Sequence, residues 1–470
     1  MPSIPAIVEV ILLIFAVILS FNLIIFVHEL GHFLAAKWRG LKIERFQIWF
    51  GSPIWKKEIN GVQYGLGWIP AGGFVALPQM APMESIEGEN KDRKNLPAIS
   101  PLDKIIVAFA GPLFSMLLAF AAGLVVWKIG KPADFIQTTR VGFVLPGSPA
   151  QKAGLLIGDN ITHINGLKIN GFAGSLSSIT ESIILSRGKE ISYTVERVGE
   201  LNSMTFRSGF ETDKTRWYQR AGLRQIGILP AGNAIVEAVS PNSPAAEANI
   251  LPGDKINTVD GIKLFSLQQF SQYLRDQNWK SIQLDVLSRS GDRRTVSLVP
   301  ERPSQPTGLD PMVGIQWSDG GEIDKRIVYP RPIDQISDCL KMMWTTITSV
   351  VAPDSSIGVG HLSGPVGIAK LQYQLLQMED GWRRILAFMV LFNVNLAVLN
   401  MMPFPVLDGG HITLAILEKI FGRPVKARAL EILQTACALA LISLMLFVTS
   451  KDIGDGFGRP KARDEKIIFP

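Results

Sequence analysis

The sequence predicts a polytopic α-helical membrane protein with four transmembrane helices, a membrane-associated β-hairpin and two inserted α/β domains. The chain has 470 residues, of which 47% are hydrophobic and 19% are charged. It is too long for one ordinary domain and apolar enough for a membrane protein with soluble parts. Four long apolar runs are spread along it, and a sequence repeat lies between the second and the third run.

The first apolar run, residues 7–27, is interrupted only by Glu9, Ser20 and Asn22. A helix with a rise of about 1.5 Å per residue would span about 30 Å over this run, one hydrocarbon thickness of a membrane. Residues 105–127, 385–400 and 430–448 are the three further runs. The sequence therefore predicts four membrane-spanning helices.

The segment His28-Glu29-Leu30-Gly31-His32 directly follows the first run. Helical residues four apart lie on one face, so His28 and His32 could bind one zinc ion. Glu29 would then be the general base that takes a proton from the attacking water, as in zinc hydrolases with the H-E-x-x-H motif. Ionisable groups beside a membrane span are costly and usually functional. The alternative is a chance match in which the histidines merely end a membrane helix.

The connector after the first span contains an Asn60-Gly61 pair between alternating apolar residues, within residues 55–69. Asn-Gly favours a two-residue turn, so a β-hairpin is predicted here. Beside a metal, the edge of this hairpin could hold an extended peptide as an added strand, with Gly65, Gly67, Gly72 and Gly73 permitting close backbone approach. Alternatively, the hairpin only packs against helix ends and the glycines only make turns.

The distribution of basic residues predicts the orientation of the chain. No Lys or Arg precedes the first span, whereas the connector after it is rich in both. The positive-inside rule then places the N-terminus outside and the connector in the cytoplasm. Arg383, Arg384 and the basic segment from Lys451 do not fit this rule. With four crossings, residues 131–380 and the C-terminus would lie outside.

A repeat with a constant offset of 95 residues occupies the predicted outer region. Residues 146–150, Pro-Gly-Ser-Pro-Ala, recur as residues 241–245, Pro-Asn-Ser-Pro-Ala, and Gly158-Asp159 recurs as Gly253-Asp254. This order of motifs is similar to that of bacterial PDZ domains, which bind extended peptides by strand addition. Two PDZ domains with peptide or protein ligands are therefore expected; the alternative is that they are empty spacers or size filters.

After these domains, apolar residues recur at helical spacing from Ile333 to about Val350. They predict an amphipathic helix that lies on the outer membrane surface or packs on protein.

The end of the third span carries the candidate for a third metal ligand. Pro403 and Pro405 break the helix after Asn400, and such a break at membrane depth is tolerated only where protein or water covers it. The first and third spans would run in the same direction, so Asp408 should lie at the depth of His28 and His32. We expect Asp408 to be the third ligand. His411 could compete with it, but its expected role is to support the ligands or the fold. Asn400 would hydrogen-bond the substrate or merely satisfy the broken helix.

Composition argues against nucleic-acid binding, a disulfide framework and a cysteine zinc site. The net charge is only +6, and no basic patch alternates with aromatic residues, so nucleic acid is not an expected partner. The two cysteines, Cys339 and Cys437, do not indicate a disulfide framework or a cysteine zinc site.

Together these features resemble the site-2 protease family of intramembrane zinc metalloproteases over nearly the whole chain. The resemblance rests on H-E-x-x-H in the first span, N-x-x-P-x-P-x-L-D-G-G at residues 400–410, and the tandem repeat between them. Residues 110–112, Ala-Gly-Pro, and residues 363–368, Ser-Gly-Pro-Val-Gly-Ile, are also similar to family signatures. The expected substrate-binding residues are Asn400, Pro403, Pro405, Gly65 and Gly67.

The resemblance implies a Zn²⁺ enzyme in the inner membrane of a Gram-negative bacterium, with the PDZ domains and both termini on the periplasmic side. It implies regulated cleavage of single-span membrane proteins, such as anti-sigma factors already shortened by another protease, with remnant signal peptides as a second substrate class. It also implies that the hairpin clamps the substrate within the lipid bilayer and that the PDZ pair excludes substrates with bulky outer domains.

Two rival functions remain at this stage. One is a membrane-tethered tandem PDZ adaptor with a non-catalytic metal site; the other is a transporter, which would need repeats among the spans rather than in the soluble part. The predicted division of the chain is a first transmembrane helix at 1–37, a connector with the hairpin at 38–100, a second helix at 101–130, PDZ domains at 131–229 and 230–302, a linker with the amphipathic segment at 303–380, a third transmembrane segment at 381–420, and a fourth helix with a tail at 421–470.

Overall fold

The computed structural model describes residues 4–80, 96–97, 99–306, 308–318, 323–324, 326–422, 427–456 and 469–470. It divides into two compact units, which are described separately. The first unit comprises Met1–Pro132, Ile327–Ile347 and Leu362–Gly454, and the second comprises Ala133–Arg326, Thr348–His361 and Asp455–Pro470.

Eleven α-helices occur in the described part of the chain. In chain order they are α1 (Ile4–Trp38), α2 (Pro101–Ile129), α3 (Pro149–Lys152), α4 (Ile179–Leu185), α5 (Pro244–Glu247), α6 (Leu267–Asp276), α7 (Pro332–Val351), α8 (Pro365–Gln377), α9 (Gly381–Asn400), α10 (Asp408–Phe421) and α11 (Ala427–Gly454).

The strands of the described residues are mostly short. They are β1 (Arg45–Ile59), β2 (Val62–Ala76), β3 (Lys131–Pro132), β4 (Phe135–Ile136), β5 (Val141–Val144), β6 (Asn160–Ile164), β7 (Leu167–Lys168), β8 (Ile191–Glu196), β9 (Met204–Ser208), β10 (Glu211–Thr212), β11 (Arg224–Gln225), β12 (Ile228–Pro230), β13 (Val236–Val239), β14 (Lys255–Val259), β15 (Ile262–Lys263), β16 (Ile282–Leu287), β17 (Arg293–Leu298), β18 (Ile315–Trp317), β19 (Ile323–Asp324) and β20 (Ile327–Val328).

Four helices of the first unit are long and apolar enough to cross a membrane, as the sequence predicts. Among the described residues these segments are Val10–Trp38 in α1, Pro101–Ile129 in α2, Gly381–Asn400 in α9 and Leu430–Gly454 in α11, with mean hydropathy between 1.5 and 3.1. The helix α1 continues well past the apolar run, so the H-E-x-x-H segment lies inside a helix.

The connector forms an antiparallel hairpin of β1 and β2, with Asn60 and Gly61 both at positive φ in the turn. It is longer than the predicted 55–69 because the strands are bent by irregularities. Residues 45–48 pair with residues 63–66 on one side and with residues 73–76 on the other. Residues 73–76 therefore form an edge of this sheet.

The helix α2 is the centre of the first unit, where it packs against α1, α9 and α10. One apolar cluster, formed by Ile24, Ala122, Met389 and Val390, joins α1, α2 and α9. Close contact of α1 with α2 requires a glycine, because a Cβ built on Gly31 would lie 2.4 Å from the Ala110 carbonyl oxygen.

The amphipathic segment forms the helix α7. Its exposed apolar residues include Ile333, Leu340 and Trp344, which lie seven and four residues apart and so share one face. The helical spacing agrees with the prediction, and placement on a membrane surface stays a prediction.

The second unit contains two copies of one strand arrangement. Their four-stranded sheets have the orders β7-β6-β8-β9 and β15-β14-β16-β17. The elements β5, α3, β6 and β7 recur as β13, α5, β14 and β15 with the bounds shifted by 95 residues. Each copy has its own apolar core.

Each copy has an equivalent ion pair between a buried aspartate and a partly exposed arginine. Asp159 is paired with Arg197 at 2.7 Å, and Asp254 is paired with Arg294 at 2.9 Å. The second copy continues beyond residue 302, where the sequence places its end, because β18 pairs with β13. That pairing joins residues about 80 apart, and no local pattern in the sequence marks it.

Candidate metal centre

The helix α1 places His28, Glu29 and His32 in the interior of the first unit. Both histidines are buried, and their ring centroids are 5.0 Å apart. Their Nδ1 atoms contact α2: His28 Nδ1 is 2.9 Å from Ser115 Oγ, and His32 Nδ1 is 2.8 Å from the Val107 carbonyl oxygen. A carbonyl oxygen only accepts, so His32 Nδ1 donates and its Nε2 keeps a lone pair for a metal.

A glycine on α2 leaves room for this arrangement. A Cβ built on Gly111 would lie 2.1 Å from His32 Nε2. Any side chain at position 111 would therefore displace the imidazole or occupy the space beside its metal-binding atom.

Asp408 comes from the break after α9. That helix ends at Asn400, Pro403 and Pro405 lie in the turn, and Asp408 is the first residue of α10. The turn folds tightly onto α10, because a Cβ on Gly409 would lie 2.3 Å from the Met401 carbonyl oxygen. The N-terminal end of a helix also favours a carboxylate.

The structure brings together the three side chains that the sequence singles out as ligands. His28 Nε2 is 3.3 Å from Asp408 Oδ2, and His32 Nε2 is 3.4 Å from Asp408 Oδ1. The two Nε2 atoms are 3.3 Å apart. No other group of three His, Cys, Asp or Glu residues in the described part of the chain could hold a metal ion in this way.

These separations fit a tetrahedral zinc site. Nitrogen and oxygen ligands bind zinc at about 2.0–2.1 Å, so neighbouring ligand atoms of a tetrahedron lie about 3.3–3.4 Å apart. Two imidazoles and one carboxylate are a known donor set for catalytic zinc, which keeps a fourth position open.

The ligand atoms of His28, His32 and Asp408 form a triangle, and its open side faces a cavity of about 470 Å³. Its polar lining includes Glu29, Asn400 and His411, and the sheet contributes Gly72, Gly73, Phe74 and Val75. Asn400 Nδ2 lies 3.3 Å from His28 Nε2, at the edge of the triangle. The backbone N–H of Val75 donates a hydrogen bond to the Glu29 carboxylate, so the sheet edge helps to hold this group.

The α10 groups of the site have shifted proton affinities. Burial acts to raise the pKa of Asp408, but the charge of His32 and the hydrogen bonds from His28 and His32 hold it well below its usual range. Burial lowers the pKa of His411, against the opposing negative charge of the nearby Asp408 carboxylate. The carboxylate is thus the anionic member of the site and His411 a neutral imidazole.

The remaining predicted substrate-binding residues lie further out. Pro403 and Pro405 shape the turn, while their neighbours Val406 and Leu407 line the cavity. Gly65 and Gly67 lie in the first half of β2, outside the cavity lining, and Gly67 is close to the backbone of Phe50. A role of these four residues in substrate binding stays a prediction.

Two residues that contact the histidines were not found from the sequence. Ser115 and Val107 contact the histidines through the packing of α1 on α2, which leaves no motif. Gly72 and Gly73, for which the sequence suggests close backbone approach or turns, line the cavity.

Comparison with known proteins is consistent with this geometry. The model of peptidase family M50 matches residues 16–444. The chain is 28% identical to the regulator of sigma-E protease RseP of Escherichia coli, over 91% of this chain and 95% of the relative. It is also 28% identical to a protein of Neisseria meningitidis named as a putative zinc metalloprotease, over 92% of this chain and 96% of the relative.

Among solved structures, a PDZ domain of an SdrC-like protein from Listeria innocua covers 18% of this chain and 92% of its own length, with 21% identity and a TM-score of 0.16. The family assignment rests instead on the match over residues 16–444, which contains all of His28, Glu29, His32 and Asp408. This chain therefore belongs to peptidase family M50, the site-2 protease family, and is a zinc metalloprotease.

Proposed function

We propose that this metalloprotease hydrolyses peptide bonds within the membrane-spanning segments of single-span membrane proteins. The observation that carries the proposal is the position of the His28, His32 and Asp408 triangle, which opens on a cavity among helices that are apolar enough to cross a membrane. Hydrolytic groups at this place would meet a substrate that is itself in the bilayer.

Zn²⁺ held by His28, His32 and Asp408 would supply Lewis-acid chemistry for the scissile carbonyl and the attacking water. Glu29 acts as general base, taking a proton from that water, and afterwards returns it to the leaving amine. The Asn400 amide donates a hydrogen bond to the substrate carbonyl as negative charge develops on its oxygen. The Val75 N–H keeps the Glu29 carboxylate on the cavity side.

A helical substrate must unwind before it is cut, because helix hydrogen bonds and side chains shield its carbonyl groups. The edge at residues 73–76 is suited to hold the unwound segment as an added strand. It lines the cavity and pairs with residues 45–48 on its other side only. Gly65 lies on the far side of residues 45–48, so it would support the sheet rather than contact the peptide.

The substrate class we propose is anti-sigma-factor-like proteins already shortened by another protease, together with remnant signal peptides. The support for the link to sigma-factor regulation is the E. coli relative, which is named as a regulator of sigma-E protease. The two copies of the second unit would be PDZ domains that bind peptide or protein ligands, or that exclude substrates with bulky outer domains. Their support is the 95-residue repeat and the shared sheet order.

We further propose that the protein is a multi-pass protein of the bacterial inner membrane, with the second unit and both termini in the periplasm. The support is the abundance of Lys and Arg in the connector after α1.

The test is to map the cut. A single-span substrate with tags at both ends is incubated with the purified protein or with Glu29→Gln, and the products are identified by mass spectrometry. We expect one or a few cuts inside the apolar span with the wild type and none with Glu29→Gln. Cuts confined to the polar flanks would contradict intramembrane proteolysis. Stable substrate binding without any cut by the wild type would instead favour the membrane-tethered adaptor.

A further inference from the structure

A buried aromatic side chain in the second unit has no role in the function proposed above. Phe469 is only 2% exposed, although it follows twelve residues outside the described range. It belongs to the same compact unit as the two repeated copies. A fully buried phenylalanine removes a large apolar area from water. Burial of the Phe469 ring therefore stabilises its contact with the second unit.

The ring lies in a recess of the second copy, between the residue before β18 and the residue that caps α5. A Cβ built on Gly314 would lie 3.0 Å from Phe469 Cε2 and 2.2 Å from Ser243 Cβ. Gly314 also has a φ of +78°, which favours glycine. Ser243 is itself buried, and its Oγ accepts a hydrogen bond from the Ala246 N–H.

The first copy provides an internal comparison. Gly227 occupies the place of Gly314, with a φ of +80°, and a Cβ built on it would lie 2.3 Å from Ser148 Cβ. The next neighbour is Glu211, whose Oε1 would lie 3.1 Å from that Cβ. Glu211 belongs to β10, which pairs with β11 within the first copy. The first copy therefore fills its recess with its own side chain, whereas the second copy uses a residue far along the chain.

We propose that the Gly314–Ser243 recess is a binding site for an aromatic side chain on a peptide segment, and that Phe469 is its internal ligand. Because Phe469 is tethered, its effective concentration at the recess is high, and a peptide from another protein must compete with it. The recess thus accepts an outside ligand when the Phe469 segment is displaced. This inference rests on the proposed peptide binding by the second copy and does not depend on the protease activity.

The experiment measures binding of a fluorescent peptide with the sequence of residues 464–470 to the full chain in detergent. We expect the peptide to bind Phe469→Ala at least about tenfold more tightly than it binds the wild type, because the recess is empty. The same peptide with Ala in place of Phe should bind Phe469→Ala at least about tenfold more weakly. Trp217→Ala is the matched control: it removes an 89% exposed aromatic side chain from the same unit and should behave like the wild type.

Equal affinity of wild type and Phe469→Ala for the peptide, or equal binding of the Phe and Ala peptides, would overturn the proposal. A second measurement leaves the recess filled and so does not depend on folding of the alanine variant. A photoreactive benzoylphenylalanine at position 469 should crosslink to residues 240–245 or 312–317. Crosslinks only to other parts of the chain would also overturn the proposal.

Discussion

Ser115 and Val107 orient the two imidazoles through their Nδ1 atoms, at 2.9 and 2.8 Å. Contacts of this kind fix the ring so that Nε2 faces the metal, and their loss typically costs 10–100-fold in metal affinity. We therefore expect Ser115→Ala to weaken zinc binding by roughly 10–100-fold, measured by competition with a chelator.

Ser20→Ala is the control for this experiment. Ser20 is on α1, the helix that carries both histidines, and its buried Oγ has no hydrogen-bond partner among the described residues. Its loss should leave zinc affinity unchanged. An equal loss of affinity in both variants would mean that Ser115 acts only through general packing.

The second prediction for a single residue concerns Asn400. Its amide lies beside the metal ligands and lines the cavity, so it is placed to stabilise charge on the substrate carbonyl. Asn400→Ala should lower kcat by about 10²–10³ while zinc content stays the same. Asn395→Ala on the same helix is the control and should keep a kcat near that of the wild type. Loss of zinc from Asn400→Ala would show instead that Asn400 supports the ligands.

The sequence indicated the ligand triangle at the residue scale but not what orients it. His28 and His32 follow from helical spacing, and Asp408 follows from the two prolines that end α9. The partners of the Nδ1 atoms depend on how α1 rotates against α2, and neither helix carries a motif that records this rotation. Ser115 is therefore visible only in the structure.

At the scale of elements, the contact between α1 and α2 depends on Gly111. A Cβ at this position would lie 2.1 Å from His32 Nε2. Gly111→Ala should therefore push the imidazole away, lowering zinc affinity by at least about 100-fold and abolishing cleavage, because ligand loss exceeds the usual cost of losing an orienting contact. Zinc content and cleavage rate are the measurements.

Gly123→Ala on the same helix is the matched control. A Cβ there would lie 3.3 Å from Pro332 Cβ, so a small shift suffices. We therefore expect the Gly123→Ala variant to keep its zinc. If Gly111→Ala also kept zinc and activity, the proposed crowding at His32 would be wrong.

The sequence predicts the turn of the hairpin but not the full length of its strands. The Asn60-Gly61 turn is where the sequence predicts it, because this dipeptide readily adopts positive φ at both positions. The outer halves of the strands were missed because bulges near Trp49 and Gly51, both at positive φ, interrupt the alternation. The cavity-lining edge at residues 73–76 lies in such a missed half.

At the scale of the whole molecule, the proposed orientation predicts which residues an impermeant thiol reagent reaches. In a chain with Cys339 and Cys437 replaced by serine, Leu201→Cys in the second unit should be labelled in intact spheroplasts. Glu58→Cys in the hairpin should be labelled only after the membrane is permeabilised. Both positions are exposed, so burial does not limit labelling. The opposite labelling pattern would invert the proposed topology.

The repeat was the most predictable large feature, because motifs at a constant offset of 95 residues record one arrangement twice. The bounds of β5, α3, β6 and β7 recur with that offset, whereas later elements do not keep it. Loop lengths differ after β7 and β15, and the last strand of each copy closes by long-range pairing. Such pairings, and the burial of Phe469, depend on tertiary contacts rather than on local periodicity.

We propose that His28, His32 and Asp408 hold the zinc and that Glu29 performs the proton transfer. The most direct measurement is zinc content together with cleavage of a tagged single-span substrate, for the wild type, Glu29→Gln and Asp408→Ala. We expect one zinc per chain in the wild type and in Glu29→Gln, cleavage by the wild type alone, and loss of zinc from Asp408→Ala. Full cleavage by zinc-loaded Glu29→Gln, or stoichiometric zinc in Asp408→Ala, would contradict this proposal.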